Sequence, residues 1–113
     1  MEIRQVQDNE VVILELLGRL DELATADTER VFLEIVDQGH PGVVLDLSGV
    51  EYISSSGLRI LLMLSRALSR GEAQLKLAGP SPFVAEVFEV SNFASIFSIY
   101  ATRQQALDAF APA

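Results

Sequence analysis

Residues 43–70, VVLDLSGVEYISSSGLRILLMLSRALSR, constrain this chain more than any other stretch. Val43, Val44, Leu45 and Leu47 form a short apolar run rich in β-branched side chains, the pattern of a strand covered on both faces. From Leu58 onward the apolar residues recur at helical spacing. At 100° per residue Leu61, Leu64 and Leu68 share one face, with Leu58 and Ser65 at its edge. Between strand and helix lie Ser54, Ser55, Ser56 and Gly57, small and polar, where the helix must begin. A buried strand that turns into a long amphipathic helix requires a sheet with helices packed against it.

Where that helix starts, four amide N–H groups lack helical partners and the helix dipole adds partial positive charge. A serine hydroxyl placed there can cap the helix, and free amides would accommodate a phosphate added to it. The triplet therefore reads as a reversible phosphorylation switch on a small binding module, with all three serines as candidates. On the helix, Arg59, Arg66 and Arg70 lie opposite the apolar face, with Met63 among them and Leu62 beside them. That spacing fits a solvated arginine face, and it equally fits a docking surface in which exposed Leu62 and Met63 are rimmed by charge. Gly71 is expected to end the helix as a left-handed cap.

Upstream, residues 2–7 alternate and predict an edge strand. Asp8-Asn9-Glu10 is turn chemistry, and residues 11–17 predict a second, more central strand paired with the first as a hairpin. Gly18 is expected to close that strand. A helix is predicted over residues 25–38, with Thr25 as its N-cap, a buried stripe of Thr28, Val31, Phe32, Ile35 and Val36, and Gly39 as its C-cap before Pro41. In the turn between them Asp21 is expected to accept backbone hydrogen bonds. Asp21 and Glu22 without a nearby histidine make a poor metal site.

Downstream, Gln74–Ala78 predicts a strand with Leu75 and Leu77 inward. Ser81 and Pro82 open a helix that buries Val84, Val87 and Phe88. Phe93 is expected to plug the core and residues 96–100 to form the last strand. Thr102 and Gln105 give a capping-box pattern for a closing helix through Leu107 and Phe110. Asp46, which interrupts an apolar strand, either accepts hydrogen bonds from the serine loop or is exposed at the sheet's end, because a lone buried carboxylate is expensive. The order is thus β-β-α-β-α-β-α-β-α, a mixed α/β domain of about five strands and four helices with right-handed parallel crossovers after the hairpin.

With 113 residues the chain is one domain, 1–113, large enough to bury a core. It has no cysteine, which excludes disulfide and thiolate chemistry and fits a cytoplasmic setting. No apolar run approaches the length of a membrane span, so direct membrane insertion is not expected, and Met1-Glu2-Ile3-Arg4 is not a signal peptide. A formal charge of −8 argues against nucleic acid as a partner and allows steering toward a basic protein surface. The chain lacks a Gly-x-Ser-x-Gly elbow, a phosphate-binding lysine loop and a histidine pair, and its single His40 sits in a Gly-His-Pro turn. A serine without a base is a weak nucleophile, so an enzyme is not expected and no cofactor is implied.

The segment LDLSGVEYISSSGLRILL resembles the STAS domain of bacterial anti-sigma factor antagonists, whose signature is strand, small loop, Asp-Ser-Ser/Thr-Gly-Leu and helix. Gly18, Arg19, Leu20 and Asp21 are similar to the family's Gly-x-Leu-Asp turn. The resemblance implies that the main helices share one side of the sheet, bringing Asp21 together with residues 54–57. It places the family's phosphoacceptor at Ser55, with Ser56 at the following Ser/Thr position and Ser54 in place of the acid. Taken with the docking face read from the helix spacing, it gives an expected partner surface of Asp21, Glu22, Ser54, Ser55, Ser56, Gly57, Arg59, Leu62, Met63 and Arg66. The implied partners are a serine-kinase anti-sigma factor, which brings its own ATP and Mg²⁺, and a PP2C-type phosphatase. The alternative within the family is an unphosphorylated accessory subunit of a membrane transport or lipid-trafficking complex.

Overall fold

A computed structural model describes residues 1–110 of the chain. It contains β1 (Glu2–Asp8), β2 (Val11–Leu20), α1 (Glu22–Gln38), β3 (Gly42–Ile53), α2 (Ser55–Arg70), β4 (Gln74–Ala78), α3 (Pro82–Val90), β5 (Ser98–Tyr100) and α4 (Arg103–Asp108), with a 3₁₀ turn at Phe93–Ser95. The sheet runs β1-β2-β3-β4-β5 in space as in sequence. β1 and β2 pair antiparallel, and every later neighbour is parallel with a helix in the connection. The predicted hairpin and element order are therefore present, as five strands and four α-helices among the described residues.

Alternation along the strands divides the interior in two. Val12, Leu14 and Leu16 of β2 and Val43, Leu45 and Leu47 of β3 face Phe32 of α1, Leu61 and Leu64 of α2 and Phe88 of α3. Ile13, Val44 and Ala78 face the other way and are covered by Ala106 of α4. Three helices thus share one side of the sheet, as the family resemblance implied. Each fully buried large side chain contributes roughly 1.5–3 kcal/mol by leaving water, so the three-helix side holds most of the hydrophobic stabilisation. Lys76, between Leu75 and Leu77, points to the α4 side, where its ammonium lies 5.6 Å from the Tyr100 ring and 4.9 Å from the Phe110 ring.

Several boundaries differ from expectation for identifiable reasons. Gly18 does not close β2. It takes φ +114° beside a register shift, and the strand continues through Arg19 to Leu20. Helix α1 starts three residues earlier than predicted, with Asp21 and not Thr25 as its N-cap. The left-handed residue after α2 is Glu72 (φ 63°), while Gly71 stays at φ −95°. Phe97, not Phe93, fills the core, and Phe93 packs edge-on against it at 6.0 Å. Ile96 is half-exposed and precedes the short β5 instead of beginning it. Gly39, Ser81 and Thr102 cap their helices as predicted.

Candidate functional site: two helix starts joined by a hydroxyl chain

The carboxyl ends of β2 and β3 lie side by side, with Leu20 opposite Ile53. The Ser54 N–H donates to Leu20 O at 2.9 Å, so both strands stop at the same level. Each then turns directly into a helix. The Asp21 carboxylate caps α1 by accepting from Leu23 and Ala24 N–H, both at 3.1 Å. The Ser54 hydroxyl caps α2 by accepting from Gly57 N–H at 3.1 Å. Gly57 is required here by space: a Cβ on it would stand 2.9 Å from both Leu20 Cγ and Leu20 O. Asp21 and residues 54–57 are therefore brought together, and Asp21 accepts the turn's backbone hydrogen bonds as expected.

The hydroxyls at this edge form a chain with a single consistent direction. Thr25 Oγ1 donates to Asp21 O at 2.8 Å, which uses its one proton. It must then accept from Ser56 Oγ at 3.2 Å. Ser56 Oγ in turn accepts from Ser54 Oγ at 2.9 Å, and Ser54 Oγ accepts from Gly57 N–H. The path Gly57 N–H, Ser54, Ser56, Thr25, Asp21 O crosses from the first turn of α2 to the first turn of α1. Such chains polarise along their length, each bond strengthening the next. Ser55 lies within the triplet but outside this chain. It is the first residue of α2, it is exposed, and among the described residues its hydroxyl has no hydrogen-bond partner. Serine is among the strong N-cap types, and Ser54 fills that role here.

An open cleft between the two helix starts is lined by Glu22, Thr25 and Glu29 of α1 and by Ser55, Ser56 and Arg59 of α2. Arg59 and Arg66 are exposed. Leu62 and Met63 are half-buried against the main core and not exposed, so the apolar docking surface expected there is reduced to their outer edges. α2 packs against both α1 and β4, and Leu62 and Met63 are drawn against the main core with it. Among the described residues no cluster of three or more His, Cys, Asp or Glu is placed to hold a metal ion.

Asp46 behaves in neither of the expected ways. It is 8% exposed, on the α4 side of the sheet, and does not reach the serine loop. Its Oδ1 accepts from Ser48 N–H at 3.0 Å and Ser48 Oγ at 2.7 Å. Its Oδ2 accepts from Arg103 Nε at 3.0 Å and Nη2 at 2.7 Å, and Arg103 also pairs with Glu15, the residue opposite Asp46 on β2. Burial pushes the Asp46 carboxyl upward, but the hydrogen bonds from Ser48 and Arg103 outweigh it and hold the group below its ordinary value. The bonds to Asp46 and Glu15 raise the Arg103 guanidinium in return. Arg103 escaped sequence reasoning. The available signal was a pair of acids, Glu15 and Asp46, each breaking an apolar strand.

Residues 2–106 match the family model of the STAS domain. Over 89 residues, 76% of this chain and 77% of the relative, the sequence is 42% identical to BtrV of Bordetella bronchiseptica, named as an anti-sigma factor antagonist. It is 29% identical over 100 residues, 88% of this chain and 85% of the relative, to the anti-sigma F factor antagonist of Lysinibacillus sphaericus. The crystal structure of a Thermotoga maritima protein described as an anti-sigma factor antagonist superposes with a TM-score of 0.89 at 26% identity, covering 95% of this chain and 92% of that one.

Proposed function

The chain belongs to the STAS domain family, and from that membership we propose that it is an anti-sigma factor antagonist that works by partner switching at Ser55. In the dephosphorylated state it binds an anti-sigma factor of the serine-kinase type and so frees a sigma factor. The kinase, with its own ATP and Mg²⁺, phosphorylates Ser55 and is released, and a PP2C-type phosphatase restores binding. The relatives named above carry the names of anti-sigma factor antagonists, and this chain is read as a regulator in the same way.

The observation that carries this reading is the position of Ser55 outside the hydroxyl chain. Modification of Ser54 would break the cap of α2, and modification of Ser56 would cut the bridge to Thr25. Ser55 alone of the three can take up a phosphate without disturbing a hydrogen bond the fold uses. The phosphate adds roughly −1.5 to −2 charges where helix amides tolerate them. The fold therefore stays as it is, while a protein interface laid over Ser55 must desolvate that charge. A loss on the order of a hundredfold or more in affinity corresponds to about 3 kcal/mol.

The variants Ser55→Ala and Ser55→Asp test this. Both stay folded by circular dichroism; Ser55→Ala retains binding to the cognate anti-sigma factor in calorimetry, and Ser55→Asp loses it. A Ser55→Asp protein that binds as tightly as the parent contradicts the switch.

A further inference from the structure

We infer that Arg59 is the counter-ion of a phosphate carried on Ser55, so that the modified serine lies along the first turn of α2 and does not stand free in solvent. The inference rests on Ser55 being the phosphoacceptor and names what that modification does locally. Ser55 and Arg59 are four residues apart on one helix, a spacing that places side chains as surface neighbours with Cβ atoms about 5–6 Å apart. Both line the same cleft. Arg59 is exposed and makes no ion pair among the described residues, although Glu22 and Glu29 of α1 line that cleft opposite it.

The charge arrangement gives the phosphate one favourable direction. Toward α1 it meets two carboxylates and is repelled. Toward α2 it meets the helix amides and a guanidinium whose planar fork matches phosphate oxygens two at a time. Phosphorylation therefore has two consequences for a docked partner. It adds negative charge, and it takes Arg59 away from any partner carboxylate that the free cation would have held.

The test installs phosphoserine at position 55 by codon expansion and follows its second ionisation by ³¹P NMR at low ionic strength. A cation beside the phosphate favours the dianion and lowers the midpoint. Arg59→Ala is expected to raise the midpoint by about half a unit, the size an exposed pair supports. Arg59→Lys restores part of the shift, and Glu22→Gln and Glu29→Gln, which remove the facing carboxylates, move it the opposite way. Superimposable titrations of the parent and Arg59→Ala overturn the inference. Because the phosphate is installed without a kinase, that failure is separate from any failure of Ser55 as a kinase target.

Discussion

Ser54 and Ser56 share a hydroxyl–hydroxyl bond of 2.9 Å that passes over Ser55 without including it. Three adjacent residues of one type thus hold three different jobs. Ser54 begins a helix, Ser56 ties that helix to its neighbour through Thr25, and Ser55 faces solvent. The difference comes from helix geometry: the cap side chain folds back over the first turn, the third serine bonds Thr25 of α1, and the one between them is exposed at the open cleft between the two helix starts.

Stability should separate the three. Ser54→Ala removes the cap and the start of the hydroxyl chain and is expected to cost about 1 kcal/mol. Ser56→Ala leaves Ser54 and Thr25 without their shared partner and is expected to cost a similar amount, about 0.5–1.5 kcal/mol. Ser55→Ala should lie within about 0.5 kcal/mol of the parent, as exposed substitutions do. Urea unfolding of the three variants checks the order.

Gly57 tolerates no side chain. The added Cβ of Gly57→Ala meets the backbone oxygen of Leu20 at 2.9 Å, and backbone cannot swing aside as a flexible side chain can. Overpacking of this kind costs about 1–3 kcal/mol. Thermal unfolding should show the loss, and amide exchange should show faster opening at the start of α2 than at its end.

Acid should weaken the attachment of α4. The Asp46 carboxyl is held below its ordinary value by its hydrogen bonds from Ser48 and Arg103, so these contacts contribute stability that is fully present above the unfolded value of about 3.9 and is lost as pH falls through the lower folded value. In Asp46→Asn that carboxylate is absent at every pH. The variant should be less stable than the parent at pH 7, and the gap should narrow as pH drops from about 5 toward 2. A pH series of denaturation midpoints checks the sign.

Much of this was legible in the sequence because it depends on local periodicity. The alternation of β2 and β3, the Leu61-Leu64-Leu68 stripe and the small residues between strand and helix fix the element order and put the serines at a helix start. What stayed hidden depends on contacts between distant residues. Thr25 meets Ser56 across 31 positions and Arg103 meets Asp46 across 57, and no local pattern encodes either pairing. Asp21 illustrates the boundary case. Its type and position suggest turn hydrogen bonds but not a cap; because β2 continues past Gly18 to Leu20, α1 starts at Glu22, Asp21 becomes its N-cap and the predicted cap Thr25 lies three residues inside the helix. Leu62 and Met63 read as exposed because a helical wheel shows one helix alone, whereas α2 packs against both α1 and β4.

The most direct measurement incubates the purified protein with its cognate serine-kinase anti-sigma factor and Mg-ATP, then maps phosphate by tandem mass spectrometry while following the complex by size-exclusion chromatography. One phosphate on Ser55, appearing together with dissociation of the complex, is the expected result. Phosphate confined to Ser54 or Ser56, or a complex that persists with Ser55 fully phosphorylated, would contradict a switch seated on that hydroxyl.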